Sequence, residues 1–460
     1  MAYNFYGMDR EQMYLMPPSL KEWLPEGDLA WFLLDAVRQM DLDEFYEGYR
    51  EDGKGATAYH PEMLVGLLLY AYCQGVLSSR KIERMCEVDV ACRVVTANLK
   101  PDHSSIARFR QEHEKGLEKV FVKVLRLCKE AGLVKVGMVA LDGTKMKGNA
   151  SLEANRTKES LEKEIRRMLE GAREVDEEED RKYGKDKRGD ELPEGLRRPV
   201  ERLKRLKECQ ERLEKEAKEA MEAQVLKIEE RAQKEKESGE RMRGRKPLEP
   251  EEVVDQEAKA NVTDPESRIM KTRQGHVQGY NAQVVVTKEQ IVVACAVTQE
   301  ENDTQQLKPM MELLRRNLRE IGMEKTVDHF LTDAGYGPTK TLGEVEKDEE
   351  TEYWINTRKD WKRRKALREE GPPRGRIPQG WGPKERMERK LMTKEGQERY
   401  RWRSQMVEPV FGQIKHNRKC DRFQRRGIQA GDSEWAFICA SHNLLKLWRS
   451  GKAPWVKKAA

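Results

Sequence analysis

The chain has 460 residues, and its 88 lysines and arginines nearly balance its 82 aspartates and glutamates, which leaves a formal net charge of +6. That length allows two or three domains with sizeable cores. The sequence has no run of about 18 apolar residues and no signal-like N-terminus, so it predicts a soluble, cytoplasmic protein without a membrane partner. Eight scattered cysteines without a C-x-x-C pair predict buried, reduced thiols rather than a zinc site.

The N-terminal part, residues 17–131, has a helical and reasonably apolar pattern. Asp28 stands where it can cap a helix over LAWFLLDAVRQM. The most apolar segment is PEMLVGLLLYAYCQG, with Pro61 in its first turn and Gly75 at its end. This pattern predicts a helix at the centre of a core.

Two shorter helices with basic side chains follow this core helix. One opens at Ser78 or Ser79 and the other is capped by Asp102, and we expect only a short connection between them. Their arginines, among them Arg108 and Arg110, fit a helix-turn-helix-like module that binds DNA. A plain helical bundle with a solvated basic face fits the same pattern and is the commoner arrangement.

A short apolar run that ends in an acid occurs twice in the chain. The stretch GMVALDGTKMKGNAS predicts a buried strand that leaves the sheet at Asp142. The stretch VDHFLTDAGYG repeats the pattern and ends in Asp333. Taken singly, each acid is also explained by a turn where a strand ends.

A highly charged segment separates these two runs. Residues 152–261 are dominated by Glu, Lys and Arg, as in ERLKRLKECQERLEKEAKEAMEAQ, and their sparse apolar positions keep no strict heptad. We expect long charged helices supported by ion pairs four residues apart, with a loop or disordered stretch over EVDEEEDRKYGKDKRGDELPEG. The simpler interpretation is a solvated helical arm, and the sharper one is an arm for dimerisation or DNA contact.

The compact pattern resumes after this insert. We predict two strands joined by a turn, a helix capped near Asp303, the Asp333 strand, a helix, a short strand, a basic loop over residues 358–390, and two final helices. With the Asp142 strand placed first, this is the element order of an RNase H-like α/β fold. In that fold the first and fourth strands lie side by side, so Asp142 and Asp333 would be neighbours.

A third acid, Glu408, lies in a predicted helix over YRWRSQMVEPVFGQIKH. Carboxylates on two strand ends and one helix form a metal site if the fold brings them together. Phosphodiester cleavage needs an activated oxygen nucleophile and stabilisation of charge at phosphorus, and two Mg²⁺ ions about 3.5–4 Å apart provide both. Asp142, Asp333 and Glu408 therefore predict a Mg²⁺ site, at which Mn²⁺ would substitute, and no general-base histidine is required.

The residues around Glu408 suit a nucleic acid. Tyr400, Arg403, Glu408 and Lys415 have the spacing Y-x2-R-x4-E-x6-K. On a regular helix Glu408 and Lys415 share a face, so a metal-binding acid and a phosphate-binding cation would point the same way. A basic cluster with an aromatic follows, which suits a DNA backbone or, for each side chain singly, a solvated surface; it comprises Arg418, Lys419, Arg422, Phe423, Arg425 and Arg426.

The chain resembles the DDE transposases of bacterial insertion sequences, in the branch that is written IS-eleven-eighty-two-like, with an InsH-like N-terminal helical module. Several motifs in one order carry the resemblance, which covers most of the chain outside the insert. They are PEMLVGLLLYAYCQGVLSSRKIE, PDHSSIARFRQEH, ALDGTKMKGNAS, NVTDPESRIMK, GYNAQVVV, LTDAGYG and VEPVFGQIKHN.

The resemblance implies an RNase H-like catalytic domain that depends on Mg²⁺. It implies two sets of site residues, the catalytic metal ligands Asp142, Asp333 and Glu408, and the signature around the third acid at Tyr400, Arg403 and Lys415. It also implies recognition of terminal inverted repeats and of target DNA, action as a homo-oligomer that is at least a dimer on DNA, and a nucleoid-associated place in the bacterial cytoplasm.

The predicted organisation has three parts. Residues 1–135 form a helical DNA-binding module, residues 136–152 and 263–450 the catalytic domain, and residues 153–262 the charged insert. The leading hypothesis is an active transposase that cuts the ends of its element and joins their 3′-hydroxyls to target DNA. The alternatives are an inactive or repurposed sequence-specific DNA-binding protein, against which the intact acids argue, and an RNase H-like nuclease without strand transfer.

Overall fold

The computed structural model describes a large part of the chain. The described residues are 19–49, 57–168, 194–239, 241, 246–253, 255, 257–273, 275–324, 327–357, 375–376, 378 and 380–455. Most of the acidic stretch predicted as a loop in the insert, and residues 358–374 of the predicted basic loop, lie outside these ranges.

Six α-helices are present in the described residues of the N-terminal part. They are α1 Leu29–Arg38, α2 Pro61–Cys73, α3 Ser79–Val88, α4 Val90–Val95, α5 His103–Glu112 and α6 Glu114–Glu130. Two predicted caps are confirmed, because Asp28 accepts from the backbone N–H of Ala30 at 2.8 Å and Asp102 accepts from that of Ser104 at 2.9 Å. The predicted short connection after α3 was wrong. It contains α4, whose first turn is capped by Asp89.

The centre of the protein is a six-stranded mixed sheet. Eight strands are present in the described ranges: β1 Met138–Lys147, β2 Asn155–Thr157, β3 Lys259–Asn261, β4 Arg268–Thr272, β5 Gly275–Thr287, β6 Val292–Thr298, β7 His329–Thr332 and β8 Glu352–Ile355. β5 pairs antiparallel with β1, β4 and β6, while β1–β7 and β7–β8 are parallel. The predicted adjacency of the β1 and β7 strands is confirmed, and the mixed sheet is consistent with an RNase H-like fold.

The first strand is longer than the sequence predicted. Asp142 does not lie where β1 leaves the sheet, because it pairs with Val284 of β5 and the strand continues to Lys147. The parallel pairing of β1 with β7 ends at Ala140, opposite Leu331. Asp142 is therefore placed where β1 has lost one neighbour and kept the other, which exposes one side of its backbone to a site.

Further helices complete the fold. They include α7 Glu194–Ser238, α8 Leu307–Glu320, α9 Thr339–Val345, α10 Pro383–Met392, α11 Lys394–Phe411 and α12 Ile428–Ser450, and Gly412–Asn417 is π-helical. Two predictions were wrong. The end of the predicted basic loop is helix α10, and α8 begins at Leu307 rather than near Asp303.

One continuous hydrophobic core, from Leu29 to Ala453, joins the N-terminal helices to the sheet. Helix α12 is buried along most of its length and packs against α2, α6 and β6. The domain boundaries stay a prediction, and this core crosses the one placed at residue 135. All eight cysteines are buried and unpaired, as predicted. Within the described residues, no helix has the length and apolarity needed to cross a membrane.

The charged insert has a small core of its own. Residues 158–168 are helical and pack against α7 and the two-stranded β2–β3 sheet through Leu161, Ile165, Leu206, Cys209, Leu213 and Ala260. Glu164 accepts from Arg202 of α7 at 2.9 Å. Ion pairs four residues apart follow the surface of α7, such as Lys218 with Glu222. The prediction of long charged helices is therefore confirmed where the insert is described.

Candidate active site

The two predicted strand acids lie at one edge of the central sheet. Ala140 of β1 and Leu331 of β7 are paired in parallel, and Asp142 and Asp333 each follow two residues later. Asp333 accepts from the backbone N–H of Gly335 at 2.8 Å, which starts the tight turn after β7. The chain therefore brings these two carboxylates to the same place because their strands are parallel neighbours.

Arg403 of α11 reaches into this edge. Its Nη2 lies 2.6 Å from Asp142 Oδ2, and only 15% of the arginine side chain and 19% of the aspartate side chain are exposed. Asp142 Oδ1 also accepts from the backbone N–H of Gly143 at 2.9 Å. Burial raises the pKa of Asp142 to about 6, Arg403 opposes that rise, and the charge of Asp333 adds to it.

A further acid that the sequence did not assign to the site, Asp303, lies beside these two. Its Oδ1 accepts from Asn281 Nδ2 at 2.7 Å and from Gln283 Nε2 at 2.8 Å. Asn281 and Gln283 are fully buried on β5. The sequence contains a signal for this polar cluster. Asn281 and Gln283 are two positions apart in an apolar strand, so they share a face of the sheet and need hydrogen-bond partners there.

Two glycines provide the room for this arrangement. A Cβ on Gly143 would lie 2.8 Å from Asp303 Oδ1 and 2.9 Å from Asn281 Oδ1. A Cβ on Gly335 would lie 3.0 Å from Asp333 Oδ1 and 3.5 Å from Asp303 Oδ2. Any larger side chain at Gly143 would displace the polar groups around Asp303.

Helix α11 also carries Glu408, whose side chain is exposed and makes no hydrogen bond or ion pair within the described part of the chain. The helix is irregular beyond it. Pro409 has no N–H for the Gln405 carbonyl, which accepts instead from Gln290 Nε2 at 3.4 Å. The following residues, Gly412–Asn417, are π-helical. The predicted shared face of Glu408 and Lys415 assumed a regular α-helix, and the π-helical segment changes the angle between them.

Lys415 packs against β1 two to three residues beyond Asp142. Its Nζ donates to Thr144 Oγ1 at 3.0 Å and to the Lys145 carbonyl at 2.8 Å. Burial lowers the pKa of Lys415. Tyr400, earlier on the helix, is half-buried and packs against the main core. These contacts place Arg403 and Lys415 along the same strand as Asp142.

The arginines predicted to bind DNA fall into two groups. Arg110 and Arg418 are buried: Arg110 donates to the Leu77 carbonyl at 2.8 Å, and Arg418 donates to Ser441 Oγ at 2.6 Å. Their guanidinium groups satisfy polar atoms inside the protein, and we do not carry these two into a DNA-contact proposal.

The other arginines lie at or near the surface. Arg425 forms an ion pair of 2.7 Å with Glu114 of α6 and is 14% exposed, whereas Arg108 and Arg422 are exposed. Exposed cations contact phosphates without first breaking internal bonds. Arg108 and Arg422 therefore stay the best placed of the predicted DNA contacts.

No metal site is fully assembled in the described residues, since they contain no group of three or more His, Cys, Asp or Glu side chains arranged to hold an ion. The charge that Asp142 binds is the guanidinium of Arg403. The two strand acids supply carboxylate oxygens, which are the ligands that Mg²⁺ prefers. The donor chemistry fits a hard divalent cation, with Arg403 as its competitor for one oxygen.

The mixed sheet is consistent with an RNase H-like α/β fold, and Asp142, Asp333 and Arg403 lie at one edge of it. Residues 18–112 match the family described as a transposase domain (DUF772), and residues 376–448 match the family described as a transposase DDE domain. These two matches support an insertion-sequence DDE transposase, an enzyme that acts on DNA. Comparisons with curated proteins and with solved structures give no match.

The second match covers α10 to α12 and therefore includes Arg403, Glu408 and Lys415. Asp142 and Asp333 lie outside both matched ranges. The assignment of these two aspartates to the site thus depends on the strand pairing and on their contacts.

Proposed function

We propose that this transposase cuts DNA at the terminal inverted repeats of its element and joins the freed 3′-hydroxyls to target DNA, with Asp142, Asp333 and Glu408 as the metal-binding carboxylates. The observation that carries the proposal is the position of Asp142 in β1 and of Asp333 directly after the parallel neighbouring strand β7, with Arg403 bound at 2.6 Å to Asp142. Each reaction step exchanges one P–O bond for another. Water, and then the 3′-hydroxyl, is the attacking oxygen.

The cofactor in this proposal is Mg²⁺, with Mn²⁺ able to replace it, because DDE domains use divalent metal ions and the donors here are carboxylates. Asp142 and Asp333 would hold the ion from the sheet, and Glu408 would complete the set from α11. When bound, the metal supplies an activated oxygen nucleophile and stabilises charge on the phosphorus and the leaving oxygen.

The protein's own side chains position the DNA. Arg403 lies at the acids and Lys415 lies beside β1, so both cations are near the place where the scissile phosphate would bind. Arg403, which pairs with Asp142 here, would be free to contact the scissile phosphate when the site holds its cation. Arg108 and Arg422 contribute exposed charge for the duplex on either side.

Joining two ends requires two active sites, so we propose that the chain acts on DNA as at least a dimer. The helical module reads the repeat, and the charged insert, with exposed Val225 and Leu226 on α7, supplies a contact between copies. A place beside the nucleoid in the cytoplasm follows from this role.

The test is a cleavage and joining assay with the purified full chain, Mg²⁺ or Mn²⁺, and a labelled duplex that carries the inverted repeats flanking the gene. Wild-type protein is expected to yield cut ends and joined product. Asp142→Asn, Asp333→Asn and Glu408→Gln are expected to abolish both products while repeat binding stays nearly intact. Glu300→Gln, on an exposed residue of the loop after β6, is the matched control.

Three outcomes would contradict the proposal in different ways. Substantial cation-dependent cleavage by all three acid variants would remove the site assignment. Specific binding without cleavage by the wild type would favour the inactive DNA-binding protein. Cleavage without joined product would favour a nuclease without strand transfer.

A further inference from the structure

Asp303 lies at the junction of the two strand ends that carry the proposed metal ligands. It belongs to the loop between β6 and α8. None of the proposed metal ligands or DNA contacts lies in this loop. Yet its side chain turns inward to β5 rather than capping α8, whose N-cap residue is Gln306. The carboxylate of Asp303 thus binds side chains of the sheet beside the site instead of the first backbone N–H groups of α8.

The contacts of Asp303 form a chain that ends at Asp333. Asp303 Oδ1 accepts from Gln283 Nε2 at 2.8 Å. The other end of that amide, Gln283 Oε1, accepts from the hydroxyl of Tyr336. Tyr336 closes the Ala334–Tyr336 turn that follows Asp333, and its ring is fully buried. The orientation of the Gln283 amide therefore depends on Asp303, and the Tyr336 turn depends on that orientation.

The packing of the same turn points the same way. A Cβ added to Gly335 would meet Asp333 Oδ1 at 3.0 Å and Asp303 Cβ and Oδ2 at 3.5 Å. Asp303 thus lies close enough to the turn that a side chain at Gly335 would contact it. A second amide, Asn281 Nδ2, donates to Asp303 Oδ1 at 2.7 Å and limits the movement of the carboxylate.

Resting on the proposed function, we propose that Asp303 is a positioning residue, which fixes the turn after Asp333 through Gln283 and Tyr336 so that the Asp333 carboxylate faces the cation. Hydrogen-bond partners behind metal ligands set ligand orientation, and their removal typically weakens metal binding by about 10- to 100-fold. In this arrangement Asp303 acts as an acceptor for two amides, and its own charge is not the essential property.

The experiment measures Mn²⁺ binding to the full chain by isothermal titration calorimetry, without DNA and without turnover. Asp303→Ala removes the acceptor and is expected to weaken Mn²⁺ binding about tenfold. Asp303→Asn keeps an oxygen for Asn281 and Gln283 and is expected to stay within about threefold of wild type. Glu300→Ala, in the same loop, is the control and is expected to bind as the wild type does.

A double-mutant cycle tests the route of the effect. Tyr336→Phe removes the hydroxyl that donates to Gln283, so it is expected to weaken Mn²⁺ binding in the same direction as Asp303→Ala. Because both changes break one chain of hydrogen bonds, the double variant should be little worse than the poorer single variant. A general loss of packing would make the two losses multiply.

The results separate this inference from the proposed function. If Asp303→Asn and Asp303→Ala lower the affinity for Mn²⁺ equally, the effect is due to the charge of Asp303. If the affinity losses of Asp303→Ala and Tyr336→Phe multiply in the double variant, the effect is due to packing. Either result would overturn the positioning role. If Asp142→Asn weakens Mn²⁺ binding and Asp303→Ala does not, this inference fails and the proposed site stands. If Asp142→Asn and Asp333→Asn also bind normally, the proposed site fails. Should Asp303→Ala not fold, Tyr336→Phe with Gln283→Leu repeats the cycle on the same chain of bonds.

Discussion

Arg403 Nη2 lies 2.6 Å from Asp142 Oδ2, in a pair whose side chains are both less than one-fifth exposed. A buried carboxylate needs a positive partner, and here the partner comes from α11, which also carries Glu408 and continues into the π-helical segment that carries Lys415. The same oxygen is a proposed metal ligand. Arginine and metal therefore compete for it, and the pair links the position of α11 to the state of the site.

The first prediction concerns this competition. Arg403→Ala leaves the buried Asp142 carboxylate without its partner, so the free energy of unfolding without metal should fall by about 1–3 kcal/mol. With the competitor gone, Mn²⁺ should bind more tightly than in the wild type, and Arg403→Lys should lie between the two. Urea unfolding with and without Mn²⁺, together with calorimetric titration, measures both effects.

Arg38→Ala is the control for the first prediction, because Arg38 forms an exposed ion pair with Asp35 at 3.2 Å. Its loss should change stability by less than about 1 kcal/mol and leave Mn²⁺ binding unchanged. An Arg403→Ala protein that binds Mn²⁺ no better than wild type would show that the arginine does not occupy the metal's place.

Local chemistry made much of the fold predictable. The caps at Asp28 and Asp102 depend on residues two or three positions away, so the sequence alone indicates them. The order of strands follows from apolar runs and turns, and parallel pairing of β1 with β7 then brings Asp142 and Asp333 to one edge. The caps and the element order need no knowledge of distant contacts, whereas the pairing of β1 with β7 follows only once the RNase H-like order is assumed.

The features that the sequence did not indicate depend on distant partners. Asp303 has the local pattern of a helix cap, but its carboxylate accepts from two side-chain amides on β5. Those amides belong to residues 22 and 20 positions earlier in the chain. Arg418 stands in a basic cluster, yet it is buried against α2 and α12. Pattern reasoning assigns charged residues to the surface by default, and only the packed structure shows which of them bind inside.

The second prediction separates exposed from buried arginines. Arg422→Ala and Arg108→Ala should each lower the slope of log affinity against log salt by about 1 for the inverted-repeat duplex, because each removes a phosphate contact. Fluorescence anisotropy over a range of salt concentrations measures the slope. Arg418→Ala, which breaks a 2.6 Å hydrogen bond to Ser441, should instead lower thermal stability with the slope unchanged. An unaltered slope in both exposed variants would rule out their contact with phosphate.

The third prediction concerns the connection between the helical module and the catalytic part. Glu114 of α6 pairs with Arg425 at 2.7 Å, and its backbone carbonyl accepts from Ser433 Oγ of α12 at 2.8 Å. A double-mutant cycle of Glu114→Gln and Arg425→Met should give a coupling of about 1–3 kcal/mol in the free energy of unfolding, since the pair is largely shielded from water. The exposed Asp35 and Arg38 pair, treated in the same way, should give less than about 0.5 kcal/mol. Equal couplings in the two cycles would show that the Glu114–Arg425 pair stabilises the fold no more than an exposed pair does.

The fourth prediction is a pH effect away from the acids. Asp432 of α12 accepts from the backbone N–H of Val297 at 2.6 Å. Burial raises the pKa of Asp432 from 3.8 to about 7, the hydrogen bond from Val297 and the charge of Arg316 oppose that rise, and Glu118 adds to it. The folded protein therefore keeps a proton that the unfolded chain loses between about pH 4 and pH 7. Over that window the contribution of Asp432 to stability is present at the acid end and is lost as the pH rises.

Asp432→Asn should remove this loss, because the amide oxygen still accepts from Val297 and carries no charge to desolvate. At pH 8 the variant should be more stable than the wild type by a few kcal/mol, at most about 4, and at pH 4 the two should be nearly equal. Urea unfolding at a series of pH values measures the difference, and Asp35→Asn on an exposed face serves as the control. The titration of other groups cancels in the difference between variant and wild type. Parallel curves of unfolding free energy against pH for the two proteins would mean that Asp432 does not hold its proton in the folded state.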